Sequence, residues 1–305
     1  MKQKWWLGVF VGVFWGVSLR CFAVIVAQGD GTQNATAPSG DRGWSYVGRI
    51  SNKPSSVTYL SNNWFVTAYH VKHYDSPTSV LLNGSSYAID DASWTRMTNS
   101  TGSDADLVMF RVTDPVGLAG VSIASVTPAS ETTVTMIGDG LDRASDLTYW
   151  HVDTGSNPYV WTETNAANAN ASGYKWLTTA TKRWGENQLE GTVSALDDGF
   201  GLTDCFYSDF DNQANEAQGA TYDSGGGVFV TNGSGGYDLA GLMITVGNYS
   251  GQPAETSVFG DRTYMADLSV YADQMRSTTM IPEPGILSLM LAMAGSCFWL
   301  RRLFL

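Results

Sequence analysis

The chain has 305 residues, enough for one large or two small domains. Its apolar content of 43% supports a full hydrophobic core and excludes a disordered chain, while charged residues at only 15% and abundant Gly, Ser, Thr and Asn fit an exported all-β protein rich in turns. The formal net charge is −12, and residues 24–285 hold every acidic residue but only twelve of the 17 basic ones, which argues against nucleic acid as a partner. Residues 1–23 read as a signal peptide: Lys2 and Lys4, an apolar run from Trp5 to Leu19, then Cys21-Phe22-Ala23 as a cleavage site with Ala27 as a second choice. The competing reading is an uncleaved anchor helix. Gln28 to Asp41 is polar and Gly-rich, a loose lead-in within 24–42. Short β patterns follow. Ser56 to Leu60 and Trp64 to Ala68 flank a turn at Ser61-Asn62-Asn63, and Ser79 to Leu82 and Ser85 to Ile89 flank Asn83-Gly84, a strong hairpin signal. Leu107 to Val112 is apolar throughout. Asp114 to Ala129 joins the two halves of the body, Thr132 to Ile137 alternates, and Gly138-Asp139-Gly140 breaks the pattern. Asn165 to Ser172 is low-complexity Asn/Ala and reads as an exposed loop. Strand patterns return over Gln188 to Leu196, Gly226 to Thr231 and Tyr237 to Thr245. Met265 to Met275 has the best helical period.

Three stretches carry the chemistry. His70 ends Thr67-Ala68-Tyr69-His70, Asp106 directly precedes an apolar strand, and Ser224 sits in Asp223-Ser224-Gly225-Gly226-Gly227. A serine hydroxyl becomes a nucleophile when an imidazole takes its proton, and a buried carboxylate holds that imidazole in the useful tautomer. Bland readings stand beside these: a strand-end histidine at His70, Asp104 in place of Asp106, and a turn aspartate at Asp223. His73 raises a metal pair with His70, but two histidines without a third ligand fall short of a zinc site. His151 reads as structural or exposed. Cys21 and Cys297 lie in the terminal apolar segments, which leaves Cys205 unable to form a disulfide within the body.

From about Gly43 to Met275 the chain resembles trypsin-like serine proteases of the chymotrypsin fold. The resemblance implies two six-stranded antiparallel β-barrels, about 43–120 and 129–264 of a domain spanning 43–276, with a short C-terminal helix. It implies His70 as general base, Asp106 as the carboxylate that orients it and Ser224 as nucleophile. The backbone N–H groups of Tyr222 and Ser224 would form the oxyanion hole. Gln218, Thr245, Val246 and Gly247 would form the substrate pocket, and Asp223 would pair with a freed N-terminal amine. No cofactor and no metal are implied, and the partners are protein or peptide substrates. Tyr222 stands where the family has glycine, and Gly227 replaces a proline. Gln218, neither acidic nor apolar, points to cleavage after neither Arg/Lys nor large aromatics. Tyr222 also leaves a second reading open: a catalytically impaired, protease-like binding protein at the surface or in the matrix.

Pro282-Glu283-Pro284 precedes an apolar stretch, 285–300, and then Arg301-Arg302. Prolines stop secondary structure, an apolar run enters lipid, and arginines stay on the cytoplasmic side. Residues 277–305 thus resemble a PEP-CTERM sorting signal, which implies a transmembrane helix over 285–300 and an exosortase-like processing enzyme as partner. A simple tail anchor is the alternative. Both readings place the body outside the cytoplasmic membrane, in the periplasm, at the cell surface or in the extracellular matrix.

Overall fold

The computed structural model describes residues 24–279. The signal segment and the apolar stretch 285–300 lie outside the described residues, among which no helix is long and apolar enough to cross a membrane. Strands Val47–Ile50, Ser56–Ser61, Trp64–Thr67, Asp104–Val112, Ser85–Thr98 and Ser79–Leu82 pair in that order and close into a barrel. Two tight turns set its register. Asn62 and Asn63 adopt φ of 50° and 68°, and Asn83 and Gly84 adopt 49° and 81°, the left-handed pairs whose twist matches that of the flanking strands. Asp104–Val112 is buried at nearly every position from Ala105 onward, because its barrel neighbours cover one face and the second half of the molecule covers the other. That explains an apolar run without alternation.

The second half departs from a six-stranded barrel. Its main sheet has eight strands. Seven run in the order Arg183–Gln188, Thr133–Gly138, Gly227–Thr231, Tyr237–Gly247, Arg262–Asp267, Leu202–Asp209 and Gly191–Asp197. Ser122–Ile123, from the linking segment, pairs parallel to Asp238 and Leu239. A separate five-stranded sheet of Leu141–Arg143, Ala171–Ala180, Thr148–Asp153, Val160–Thr164 and Thr256–Val258 stands beside it. The Asn/Ala stretch supplies the bend between Val160–Thr164 and Ala171–Ala180 and begins the second of them. The C-terminal helix Leu268–Thr279 buries Leu268, Tyr271, Ala272 and Met275 against a core continuous across both halves.

The lead-in is not loose at its start. Val24 through Ala27 are buried, and Ile25 and Val26 pair with Gln218 and Ala217. Arg143 donates from Nε to the Val26 carbonyl at 2.8 Å and from Nη2 to the carbonyls of Gln28 and Gly29. The phenol of Tyr174 accepts the Gln28 N–H. A guanidinium with several donors in a fixed fork is suited to clamp a chain in this way.

Candidate active site

His70 lies in the first turn of a short helix, Tyr69–Asp75, that leaves strand Trp64–Thr67. Asp106 holds it by two bonds: its Oδ1 accepts the His70 backbone N–H at 2.8 Å and its Oδ2 accepts Nδ1–H at 2.6 Å. The first bond takes up an orphan donor at a helix start that has no side-chain cap. The second fixes the tautomer and leaves Nε2 as the basic nitrogen. Burial disfavours the imidazolium, but the hydrogen bond and charge of Asp106, with the charges of Asp198 and Asp75, outweigh it and raise the His70 pKa above its ordinary value. Asp106 is fully buried, whereas Asp104 is 61% exposed and pairs with Arg96 at the surface. Of the two acids, the one that abuts the apolar run is the one in contact with His70.

Ser224 and His70 line one cleft of about 440 Å³ between the two halves. The Ser224 hydroxyl donates to the Ile244 carbonyl at 3.3 Å rather than to His70, a weak bond that rotation about χ1 breaks. The glycines after it are required by space. Gly225 has φ of 88°, and a Cβ there would meet the Ser56 carbonyl oxygen at 2.2 Å. A Cβ on Gly227 would meet the Phe229 ring at 2.6 Å.

Asp223 is buried and accepts N–H groups from Ala220 at 2.8 Å, Gly140 at 2.9 Å and Val24. The Gly138-Asp139-Gly140 break has its reason here: a Cβ on Gly138 would lie 2.0 Å from the Asp223 carboxylate, and one on Gly140 within 2.7 Å of it. The Thr221 carbonyl accepts from Leu141 N–H at 2.9 Å. Since the peptide unit is planar and trans, the Tyr222 N–H must point away from Leu141. The Tyr222 carbonyl is fixed by the Ser56 N–H at 2.9 Å. Tyr222 itself has φ of 75°, in the region where a side chain costs roughly 1–2 kcal/mol. Tyr222→Gly is therefore expected to stabilise the fold by about 1 kcal/mol and to leave any serine reactivity equal or higher. Urea titration and probe-labelling rate check both, and a tenfold loss of labelling in a folded variant would give the tyrosine a positive role.

The pocket assignment needs correction. Thr245 and Val246 line the cleft, together with Gly219, Ala220, Thr221 and Thr263. Gln218 does not: pairing with Ile25 turns it inward, where it is fully buried and its amide lies 3.4 Å from Asp261. The Gly219 N–H donates to Thr263 Oγ1 at 3.0 Å in front of it. Gly247 is also outside the lining and packs by the Tyr264 ring. His73 faces Tyr74, Phe200 and Tyr69 rather than a shared ligand site with His70. His70, Asp106 and Asp198 instead bring one ring nitrogen and two carboxylate oxygens within 4.8 Å of one another. His151 is exposed on its strand. Cys205 is buried, and burial pushes its thiol well above the ordinary range. Sequence reasoning passed over Asp198 and Phe200, both of which line the cleft.

No protein-family model matches the chain, and no curated protein does. Among solved structures, a mutant of human heparin binding protein superposes with a TM-score of 0.51 at 11% identity, over 82% of this chain and 96% of that one. Human heparin binding protein gives 0.49 at 10% identity, over 83% and 97%. The inactive form of a serine-to-alanine mutant of Rv3671c from M. tuberculosis gives 0.46 at 13%, over 85% and 98%. At such identities the likeness is one of fold alone, and the closed six-stranded barrel with its second set of sheets fits a chymotrypsin-like double barrel.

Proposed function

We propose that the protein is an exported serine endopeptidase that cleaves peptide bonds through an acyl-enzyme. The observation that carries this reading is the two-point hold of Asp106 on His70 beside a cleft that also contains Ser224. In this reading Ser224 attacks the carbonyl, His70 takes its proton and returns it to the leaving amine, and Asp106 keeps the imidazole oriented. The N–H groups of Tyr222 and Ser224 stabilise the oxyanion. The walls near Ser224 carry no charge at Gly219, Ala220, Thr245, Val246 and Thr263, so the residue before the cleaved bond is uncharged. The test is covalent labelling of the folded protein by a serine-directed fluorophosphonate.

The second reading, an impaired protease-like binding protein, draws on two observations: the strained Tyr222 and the Ser224 hydroxyl turned to Ile244. A folded protein that takes no label favours it.

Export and sorting are part of the proposal. The N-terminal segment directs export, and the segment from Pro282 onward acts as a membrane-held sorting signal removed by an exosortase-like enzyme. The expected mature form from the native host ends near Pro282, by intact-mass measurement. A mature form that still contains Trp299 reduces the segment to a permanent anchor.

A further inference from the structure

Asp198 belongs to none of the three motifs, yet the fold brings it to the His70–Asp106 pair. The loop that carries it, after strand Gly191–Asp197, is built onto strand Asp104–Val112. Arg96 donates to the carbonyls of Ala105 and Phe200 and so ties the loop to the strand. A Cβ on Gly201 would lie 2.7 Å from the Asp106 nitrogen, so the backbones are in contact there. The Asp106 N–H donates to Thr203 Oγ1 at 2.9 Å. Phe200 stands 5.5 Å from the His70 ring.

One oxygen of Asp198, Oδ1, accepts the Phe200 N–H at 2.9 Å. The other, Oδ2, is buried and meets no donor among the described residues, while a carboxylate oxygen of Asp198 comes within 4.8 Å of one of Asp106. Two carboxylates this close repel each other when both are ionised, and one proton converts the repulsion into a bond. His70 donates to both oxygens of Asp106, so each already serves as an acceptor. Asp198 has one backbone donor. The proton therefore belongs to Asp198.

We propose that Asp198 is a positioning residue for this site: protonated, it donates to the Asp106 carboxylate and holds it against His70, and ionised, it places a second negative charge beside the imidazole. Burial first, and then the charge and hydrogen bond of Asp106, push the Asp198 carboxyl up to about 7, so the change falls near neutrality. The other charged or titratable groups facing the cluster are Asp75 at the end of the His70 helix, His73 against Phe200, Cys205 and Asp204 on the next strand, and the Arg96–Asp104 pair. Ionised Asp198 makes His70 harder to deprotonate. The acidic limb of any His70-dependent reaction thus lies at higher pH than a lone His–Asp pair would give.

The kinetic part rests on the serine-hydrolase reading; the titration of His70 does not. Asp198→Asn keeps a donor toward Asp106 and removes the charge, whereas Asp198→Ala removes both. In each variant the His70 ring, followed by NMR, is expected to titrate about one pH unit lower. The acidic limb of fluorophosphonate labelling moves down with it. Below pH 7, where Asp198 carries its proton, the labelling rate of Asp198→Ala falls about tenfold behind that of Asp198→Asn, because only there does the buried acceptor lose a donor. Unchanged His70 titration in both folded variants overturns the proposal, as does equal loss of rate in Asn and Ala without any shift in pH profile. A shifted His70 in a protein that never labels supports the role of Asp198 and rejects the hydrolase reading.

Discussion

Ser224→Ala is expected to end fluorophosphonate labelling and to lower peptide hydrolysis by about a million-fold, with His70→Ala close behind, because nucleophile and base act as a unit. Asp106→Asn should cost about ten-thousand-fold, for a reason visible in the two bonds it makes. An asparagine has a single acceptor oxygen. If that oxygen keeps the His70 backbone N–H, the amide nitrogen faces Nδ1 as a donor, and the imidazole must present a lone pair there. The proton then sits on Nε2, where it cannot accept from Ser224. Restoring Nδ1 as donor would instead strip the helix start of its only cap. Kinetics on the three variants, with circular dichroism to confirm folding, decide the matter. Labelling that survives Ser224→Ala places the nucleophile elsewhere, and an Asp106→Asn variant with full activity removes the carboxylate from the mechanism.

What the sequence made legible follows from how local the signal is. Asn62-Asn63 and Asn83-Gly84 announce their turns because left-handed φ is a property of one or two residues. Asp106 was separable from Asp104 because an apolar run beside an acid predicts burial of that acid. The helix Tyr69–Asp75 was missed, since two turns are too short to show a period. Gln218 was misplaced because a resemblance gives position along the chain, while pairing with Ile25 decides which way a side chain points. Asp198 gave no signal: Asp197-Asp198-Gly199 reads as an ordinary turn, and its partners are 92 and 128 positions away in the chain, Asp106 and His70. The hold on Gln28, where the stretch read as loose begins, gave no signal because its anchors, Arg143 and Tyr174, are also distant in sequence.

Those anchors frame the second large effect. Cleavage after Ala23 is expected to switch the protein on, with the form that begins at Val24 at least tenfold more active at pH 8 than one extended by Met-Gly-Ser. Val24 already directs its backbone nitrogen at Asp223, and residues 24–27 are buried. A cut at that bond turns the amide into an ammonium in the same place, beside a carboxylate that neighbours Ser224 and the Tyr222 N–H. In the extended form burial pushes the Asp223 carboxyl up to about 7. Its folded value then exceeds the ordinary 3.8, so the folded state binds the proton more tightly. That contribution to stability is full in acid and is lost as pH rises from about 4 to about 7. The Val24 form escapes this loss, because an ammonium favours the ionised carboxylate, and removing one partner of such a buried pair costs ~3–5 kcal/mol. The melting temperatures of the two forms should therefore diverge between pH 5 and pH 8, with the Val24 form the more stable at the upper end. N-terminal sequencing of exported protein gives an independent check, since a start at Gln28 would delete the strand pairing of Ile25 and Val26 with Gln218 and Ala217. Equal activity and equal melting of the two forms at pH 8, or a native start at Gln28, would sink the idea and leave Asp223 as a buried turn residue that orders the loop through its N–H partners alone.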